Sequence, residues 1–205
     1  MADSLGEVRP QPLKGREIVV GVCGGIACYK VADVVSKLVQ AGAGVTVAMT
    51  ADVQKFVAPL TFQALTGRPV HTNIWATEDS GDVQHIKLTE HADLMLVAPA
   101  TATTIARVAA GLCDDLVALL IAAAACPVVF APAMNDRMWA NPIAQRNVKT
   151  LQDVGYDFIG PDAGWLACRN VGAGRMSEPS AIVDHVLTKL TQQPATKAPI
   201  ATRDT

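Results

Sequence analysis

Hydrophobic and polar positions along this chain follow two periods that alternate in order. Residues 18–23, Ile18-Val19-Val20-Gly21-Val22-Cys23, form a short β-rich run closed by Gly24-Gly25. After it Val31, Val34, Val35 and Leu38 recur at helical spacing until Gly42. Further apolar runs at residues 45–49, 93–98, 128–131 and 156–159 read as strands, and their continuous hydrophobicity is that of parallel strands buried on both faces. Residues 51–66 read as helical, with Pro59 able to open a second helix at its first turn. Residues 69–73 read as a short extended segment. Helices are predicted over 105–110, stopped by Gly111, and over the Ala-rich stretch that Asp114 or Asp115 caps and Pro127 ends. Two more are predicted, one over 138–151 with a break at Asn141-Pro142 and one over 180–190. The Ala-rich helix is apolar nearly all round, so it belongs against the sheet or against a partner subunit. Strand, glycine turn, helix and strand in succession make right-handed βαβ units the natural topology, and the chain is predicted to be a single α/β domain with a parallel sheet.

Four of the predicted strands stop at residues that can bind something, and in open α/β sheets ligands gather at the carboxyl ends of strands. Gly24-Gly25-Ile26 leads into a helix N-terminus, where glycines allow close approach and first-turn N–H groups lack internal partners. This suits an anion such as phosphate, and a bare tight turn is the alternative. The stretch is neither GxGxxG nor GxxxxGK[ST]. Thr50 ends the second strand as a hydroxyl for a phosphate or as a helix cap. The third strand gives way to Pro99, Ala100, Thr101, Ala102, Thr103 and Thr104, a second hydroxyl-rich strand end. The fourth ends in Pro132-Ala133-Met134-Asn135, where Asn135 either caps the next helix or contacts a ligand. Residues 77–82 are polar and read as an exposed loop, and His85 beside it is no more distinctive than His91 or His185. Residues 163–176 are glycine-rich without periodicity and read as a functional loop or lid. Cys168 in it has Arg169 and Arg175 near in sequence, which would favour a thiolate, and a flexible connector with a chance cysteine is the alternative.

Composition narrows the classes. The 205 residues are half hydrophobic with a net charge of −2, enough for a large core. No apolar run reaches the roughly 18 residues of a membrane span. The acidic, proline-bearing start lacks the apolar core of a secretory signal, so a cytoplasmic location is expected. Residues 1–15 read as a loose leader, 16–190 as the folded domain and 191–205 as a disordered tail or linker. Five cysteines without a CxxC pair argue against a disulfide framework, and the four histidines form no metal-binding cluster, so no metal is expected. Scattered basic residues and 4% aromatics give no stripe for nucleic acid.

Six segments in order resemble the flavin-containing cysteine decarboxylases. They are Gly24-Gly25-Ile26-Ala27 with Tyr29-Lys30; Phe56-Val57 with Pro59-Leu60-Thr61-Phe62; and His85-Ile86 with Leu88. They continue with residues 99–104, with Pro132-Ala133-Met134-Asn135, and with Ala167-Cys168 followed by Gly174-Arg175-Met176. The resemblance covers about residues 16–190 and implies a flavodoxin-like (Rossmann-like) parallel sheet with helices on both faces. It also implies FMN as cofactor and a homotrimer or an assembly of trimers with sites between subunits. The implied reaction is decarboxylation of 4′-phosphopantothenoylcysteine to 4′-phosphopantetheine in coenzyme A biosynthesis. A separate phosphopantothenoylcysteine synthetase is a possible partner, and neither nucleic acid nor membrane is expected. By the same resemblance His85 and Cys168 are catalytic, Cys168 as the donor of a late proton. Asn135 binds the substrate carboxylate, with Met134, Ala167, Arg175 and Met176 around it. Gly24, Gly25, Ile26, Thr50, Pro99, Thr101, Ala102, Thr103 and Thr104 hold the flavin. The sequence departs from the family at Thr103, where Asn is usual and helps hold the flavin ring, and at Arg169, where Gly is usual. A peptidyl-cysteine decarboxylase or flavin prenyltransferase of the same fold, or a non-catalytic regulatory homologue, are the competing expectations.

Overall fold

The computed structural model describes residues 10–75 and 88–192. Strand β1 (Glu17–Val22) leads through the glycine turn into helix α1 (Cys28–Gln40) and strand β2 (Gly44–Met49). A 3-10 turn (Ala51–Lys55) and α2 (Pro59–Thr66) follow, with Pro59 in the first turn of its helix. Then come β3 (Leu94–Ala100), α3 (Ala102–Ala109), α4 (Leu116–Ala123), β4 (Val128–Pro132), the short α5 (Asp136–Trp139), α6 (Pro142–Asp153) and β5 (Asp157–Phe158). A hairpin of β6 (Asp162–Trp165) and β7 (Val171–Arg175) precedes α7 (Pro179–Thr191). The first five strands pair in the order β2-β1-β3-β4-β5, and every pairing is parallel. That is the doubly wound order of the flavodoxin-like class.

The period of two along each strand sorts its side chains into two cores. Ile18, Val20, Val22, Leu94, Leu96 and Val129 pack with Val31, Val34, Val35 and Leu38 of α1 and with Ile182 and Val186 of α7. On the opposite face Val19, Met95, Val97 and Phe130 pack with Leu116, Val117, Leu120 and Ile121 of α4 and with Val148 and Leu151 of α6. The Ala-rich helix therefore covers the sheet. Asp115 is the residue that caps it, accepting the Ala118 N–H at 2.9 Å.

At the amino edge of the sheet, charge fixes the start of β1. Glu17 takes a two-pronged contact from Arg68, at 2.6 and 3.0 Å, while Asp93 accepts the Glu17 N–H at 2.8 Å and pairs with Arg16. Among the described residues no helix is long and apolar enough to cross a membrane.

Two expectations change. Residues 163–176 are not an irregular loop, because most of them belong to the antiparallel β6–β7 hairpin, with Gly164 opposite Gly172 and Trp165 opposite Val171. The glycines at 164, 172 and 174 erase the alternation that marks a strand, so the two strands are defined by backbone pairing and not by a side-chain period. Leu13, inside the stretch read as a loose leader, is completely buried in the α1 core and donates its N–H to the Ala41 carbonyl at 2.9 Å. Leu13→Ala is expected to lower the stability to unfolding by roughly 2–5 kcal/mol through the cavity it leaves. Urea unfolding measures this as a lower midpoint at unchanged slope. A loss within about 0.5 kcal/mol would place Leu13 outside the cooperative unit.

Candidate functional site

The parallel order leaves the carboxyl ends of β1, β3 and β4 at one edge. Helix α1 leaves there over one face of the sheet and α3 over the other, so the turn after β1 stays uncovered. The Gly24 N–H donates to Thr50 Oγ1 at 3.0 Å, which ties the turn to the end of β2. A Cβ on Gly24 would overlap Asp52, whereas one on Gly25 would meet only Thr101 Cγ2 at 3.5 Å, an ordinary contact. The N–H groups of Gly25, Ile26 and Ala27 have no acceptor among the described residues. Ala27, in the capping position of α1, provides no side-chain cap. This is an open cradle of backbone donors at the start of a 13-residue helix.

After β3, Thr101 caps α3. Its hydroxyl accepts the Thr104 N–H at 3.2 Å and lies 3.1 Å from the Thr104 hydroxyl. Helix α3 thus begins at Ala102, three residues before the predicted start. Thr104 is buried behind the loop and also bonds the Cys23 thiol, whose burial pushes its pKa up to about 12 against that opposing bond. Cys23 is thereby a neutral core group at the foot of the turn.

After β4, Asn135 caps α5, its Oδ1 accepting the Arg137 N–H at 2.9 Å. The two readings of Asn135 are compatible, because the other end of the amide is free to act. Nδ2 donates to the Cys168 sulfur at 3.2 Å. The hairpin brings that cysteine in. Met134 N–H donates to the Gly174 carbonyl at 2.9 Å, and a Cβ at Gly174, whose φ is 146°, would overlap the Met134 carbonyl. Leu166 and Met176 anchor the two ends of the hairpin in buried positions. Arg175 forms an ion pair with Glu178, and among the described residues the side-chain hydrogen-bond partner of the thiol is the Asn135 amide.

One cavity of about 600 Å³ joins these parts, a size that suits a cofactor with a small substrate. Its wall includes Gly24, Gly25, Ile26, Thr101, Ala102 and Thr103 on one side. On the other are Met134, Asn135, Ala167, Cys168, Arg175 and Met176. Thr50, Pro99 and Thr104 are not on the wall. Thr50 holds the turn from behind, Pro99 is buried in β3 and Thr104 is buried in the first turn of α3. His85 lies outside the described residues. The wall also contains Tyr29, Lys30, Met138 and Trp165, which the sequence reading did not place in the site. Tyr29 and Lys30 had a signal, since both lie in the first turn of α1 just past the glycines. Trp165 had none, because its position depends on the hairpin. No group of three His, Cys, Asp or Glu side chains suited to a metal occurs among the described residues.

The chain is similar to known proteins in sequence and in fold. The chain is 47% identical over 175 residues to the "Coenzyme A biosynthesis bifunctional protein CoaBC" of Vibrio cholerae, covering 85% of this chain and 44% of that protein. It therefore spans less than half the length of that relative. Among solved structures, a PPC decarboxylase mutant complexed with pantothenoylaminoethenethiol superposes with a TM-score of 0.78 at 28% identity, covering 87% of this chain and 100% of the other. The FMN-dependent cysteine decarboxylase SpaF gives a TM-score of 0.75 at 29% identity, covering 87% and 99%. The family model described as Flavoprotein matches residues 7–191, which include every described strand and helix, and the chain belongs to the Flavoprotein family.

Proposed function

We propose that this chain is an FMN-dependent decarboxylase that converts 4′-phosphopantothenoylcysteine to 4′-phosphopantetheine, a step of coenzyme A biosynthesis. The observation that carries the reading is the convergence, in one cavity, of an uncapped glycine cradle with the Asn135–Cys168 pair. The cradle fits the phosphate of FMN because its N–H groups are unpaired and its glycines leave the backbone bare. Thr101, Ala102 and Thr103, next to the cradle on the cavity wall, are there for the rest of the cofactor. The 47% identity to CoaBC and the fold shared with PPC decarboxylase support the substrate.

Loss of CO₂ from a cysteinyl carboxylate leaves a carbanion with nothing to stabilise it, and bound FMN supplies the oxidising chemistry that creates an electron sink. The chain's own residues do the rest. With Oδ1 tied to the Arg137 N–H, the Asn135 amide can only present donors to the cavity, which suits a carboxylate. Cys168, its sulfur 3.2 Å from the Asn135 amide nitrogen, gives its S–H proton to the product carbon in this reading. His85 is assigned to the thiol oxidation step. Exposed apolar side chains at the mouth of the cavity, Ile26, Tyr29, Met138 and Trp165, suit a trimer in which neighbouring subunits complete the site. A phosphopantothenoylcysteine synthetase, on this or another chain, supplies the substrate.

Gly25→Asp tests the cradle. Its Cβ is tolerated, so the fold is kept, but a carboxylate enters the anion site. Purified variant is expected to lose at least about nine-tenths of its flavin absorbance. Full FMN content would put the phosphate elsewhere.

His85→Asn is expected to keep FMN and abolish its anaerobic bleaching by substrate. Normal bleaching would remove His85 from the oxidation step.

Cys168→Ser is expected to release CO₂ yet stall before the last protonation, because a serine hydroxyl is far too weak an acid to replace the thiol. Mass spectrometry then shows an enethiol product two hydrogens lighter than 4′-phosphopantetheine. Complete conversion to the saturated thiol would take the donor role from Cys168.

A further inference from the structure

Two cations on the cavity wall come from distant parts of the chain and meet. Lys30 is in the first turn of α1 and Arg175 ends β7, yet both side chains reach the same atom, Glu178 Oε1. Lys30 Nζ lies 3.7 Å from that oxygen, and Arg175 pairs with it directly. Glu178 occupies the capping position of α7 but makes no side-chain capping bond, so its carboxylate serves the cations instead of its own helix. The Arg175 side chain lies across β6 at Gly164, where a Cβ would stand 3.1 Å from Cδ and 3.0 Å from a guanidinium nitrogen. Any larger residue there would push the arginine off its course. Lys30 is the more enclosed of the two, its side chain 22% exposed. Among the described residues no carboxylate lines the cavity, and the two cations against one glutamate give these three side chains a net charge of +1.

We propose that Lys30 and Arg175, gathered by Glu178, form a second anion subsite of the cavity and bind the phosphate of the substrate. The phosphate monoester of FMN is left to the glycine cradle. Charge-assisted bonds from an ammonium and a guanidinium match a phosphate dianion, and the guanidinium adds directional donors. The identity of the ligand rests on the decarboxylase reading above, but the existence of the subsite does not.

The test is calorimetric binding to the FMN-loaded protein, with 4′-phosphopantetheine and pantetheine as the paired probes. Wild type is expected to bind the phosphorylated probe roughly tenfold to a hundredfold more tightly. Lys30→Gln, on a helix that accepts Gln readily, should erase most of that ratio while keeping FMN content and affinity for pantetheine. Arg175→Gln should act in the same direction. The subsite is overturned if wild type binds both probes equally, or if Lys30→Gln leaves the ratio unchanged. It is also overturned if Lys30→Gln purifies without FMN, which would assign the cation to the cofactor's phosphate. Release of CO₂ from 4′-phosphopantothenoylcysteine by wild type is scored separately. A preserved phosphate ratio without CO₂ release supports the subsite and sinks the decarboxylase reading.

Discussion

Strand β1 is hydrogen-bonded on both edges, to β2 and to β3, and buried on both faces. A strand so enclosed cannot slip by one residue, since that would exchange Ile18, Val20 and Val22 with Val19 and Gly21 between two cores of different shape. Nor can it leave a ladder group unpaired without cost. Its carboxyl end is consequently a fixed point. The glycine turn begins there, Thr50 is brought beside it by the parallel register that sets Val22 opposite Met49, and β3 and β4 deliver their own ends alongside. The cavity is a consequence of strand order: helices α1 and α3 leave on opposite faces and neither covers the gap between them.

The sequence made this frame legible because the frame is local and apolar. Runs such as Val128-Val129-Phe130 admit few structures other than a buried strand, and Pro59 and Asp115 carry their helix starts in their own chemistry. From position in the chain alone, the site was legible where its residues sit at the ends of the parallel strands; Ala167, Cys168, Arg175 and Met176 came from the resemblance. Gly24, Thr101 and Asn135 could be singled out from position alone. Leu13 could not, because one apolar residue among prolines and glycines has no period, and its burial comes from the distant Ala41 carbonyl and the α1 core. The hairpin was hidden for the opposite reason, since its glycine-interrupted strands are defined by backbone pairing and not by a side-chain period. With the hairpin hidden, the meeting of Lys30 with Arg175 was hidden too.

Asn135 shows why a capping residue and a functional residue need not be alternatives. An amide has an acceptor end and a donor end, and a helix cap uses only the acceptor. Binding Oδ1 to the Arg137 N–H removes the freedom to flip, so the NH₂ group must face the cavity and Cys168. Aspartate would cap equally well but would turn an acceptor instead of a donor toward the cavity. The chemistry of the site thus follows from a local requirement of α5, and little extra ordering is needed when a ligand arrives.

Cys168 is held less directly, and Arg169 explains how. Arg169 has φ of 67° and is the one non-glycine residue in the left-handed region among those described, at a position where the resemblance to cysteine decarboxylases would put glycine. That conformation costs an L-residue roughly 1–2 kcal/mol. It persists because the turn is closed around it: Leu166 N–H donates to the Asn170 carbonyl at 2.8 Å and Arg169 N–H to the Leu166 carbonyl at 2.9 Å, with Leu166 itself buried. The backbone therefore keeps the shape that glycine favours while carrying an arginine. The position of the thiol depends on the β6–β7 ladder and its buried anchors, not on the intrinsic preference of the residue beside it.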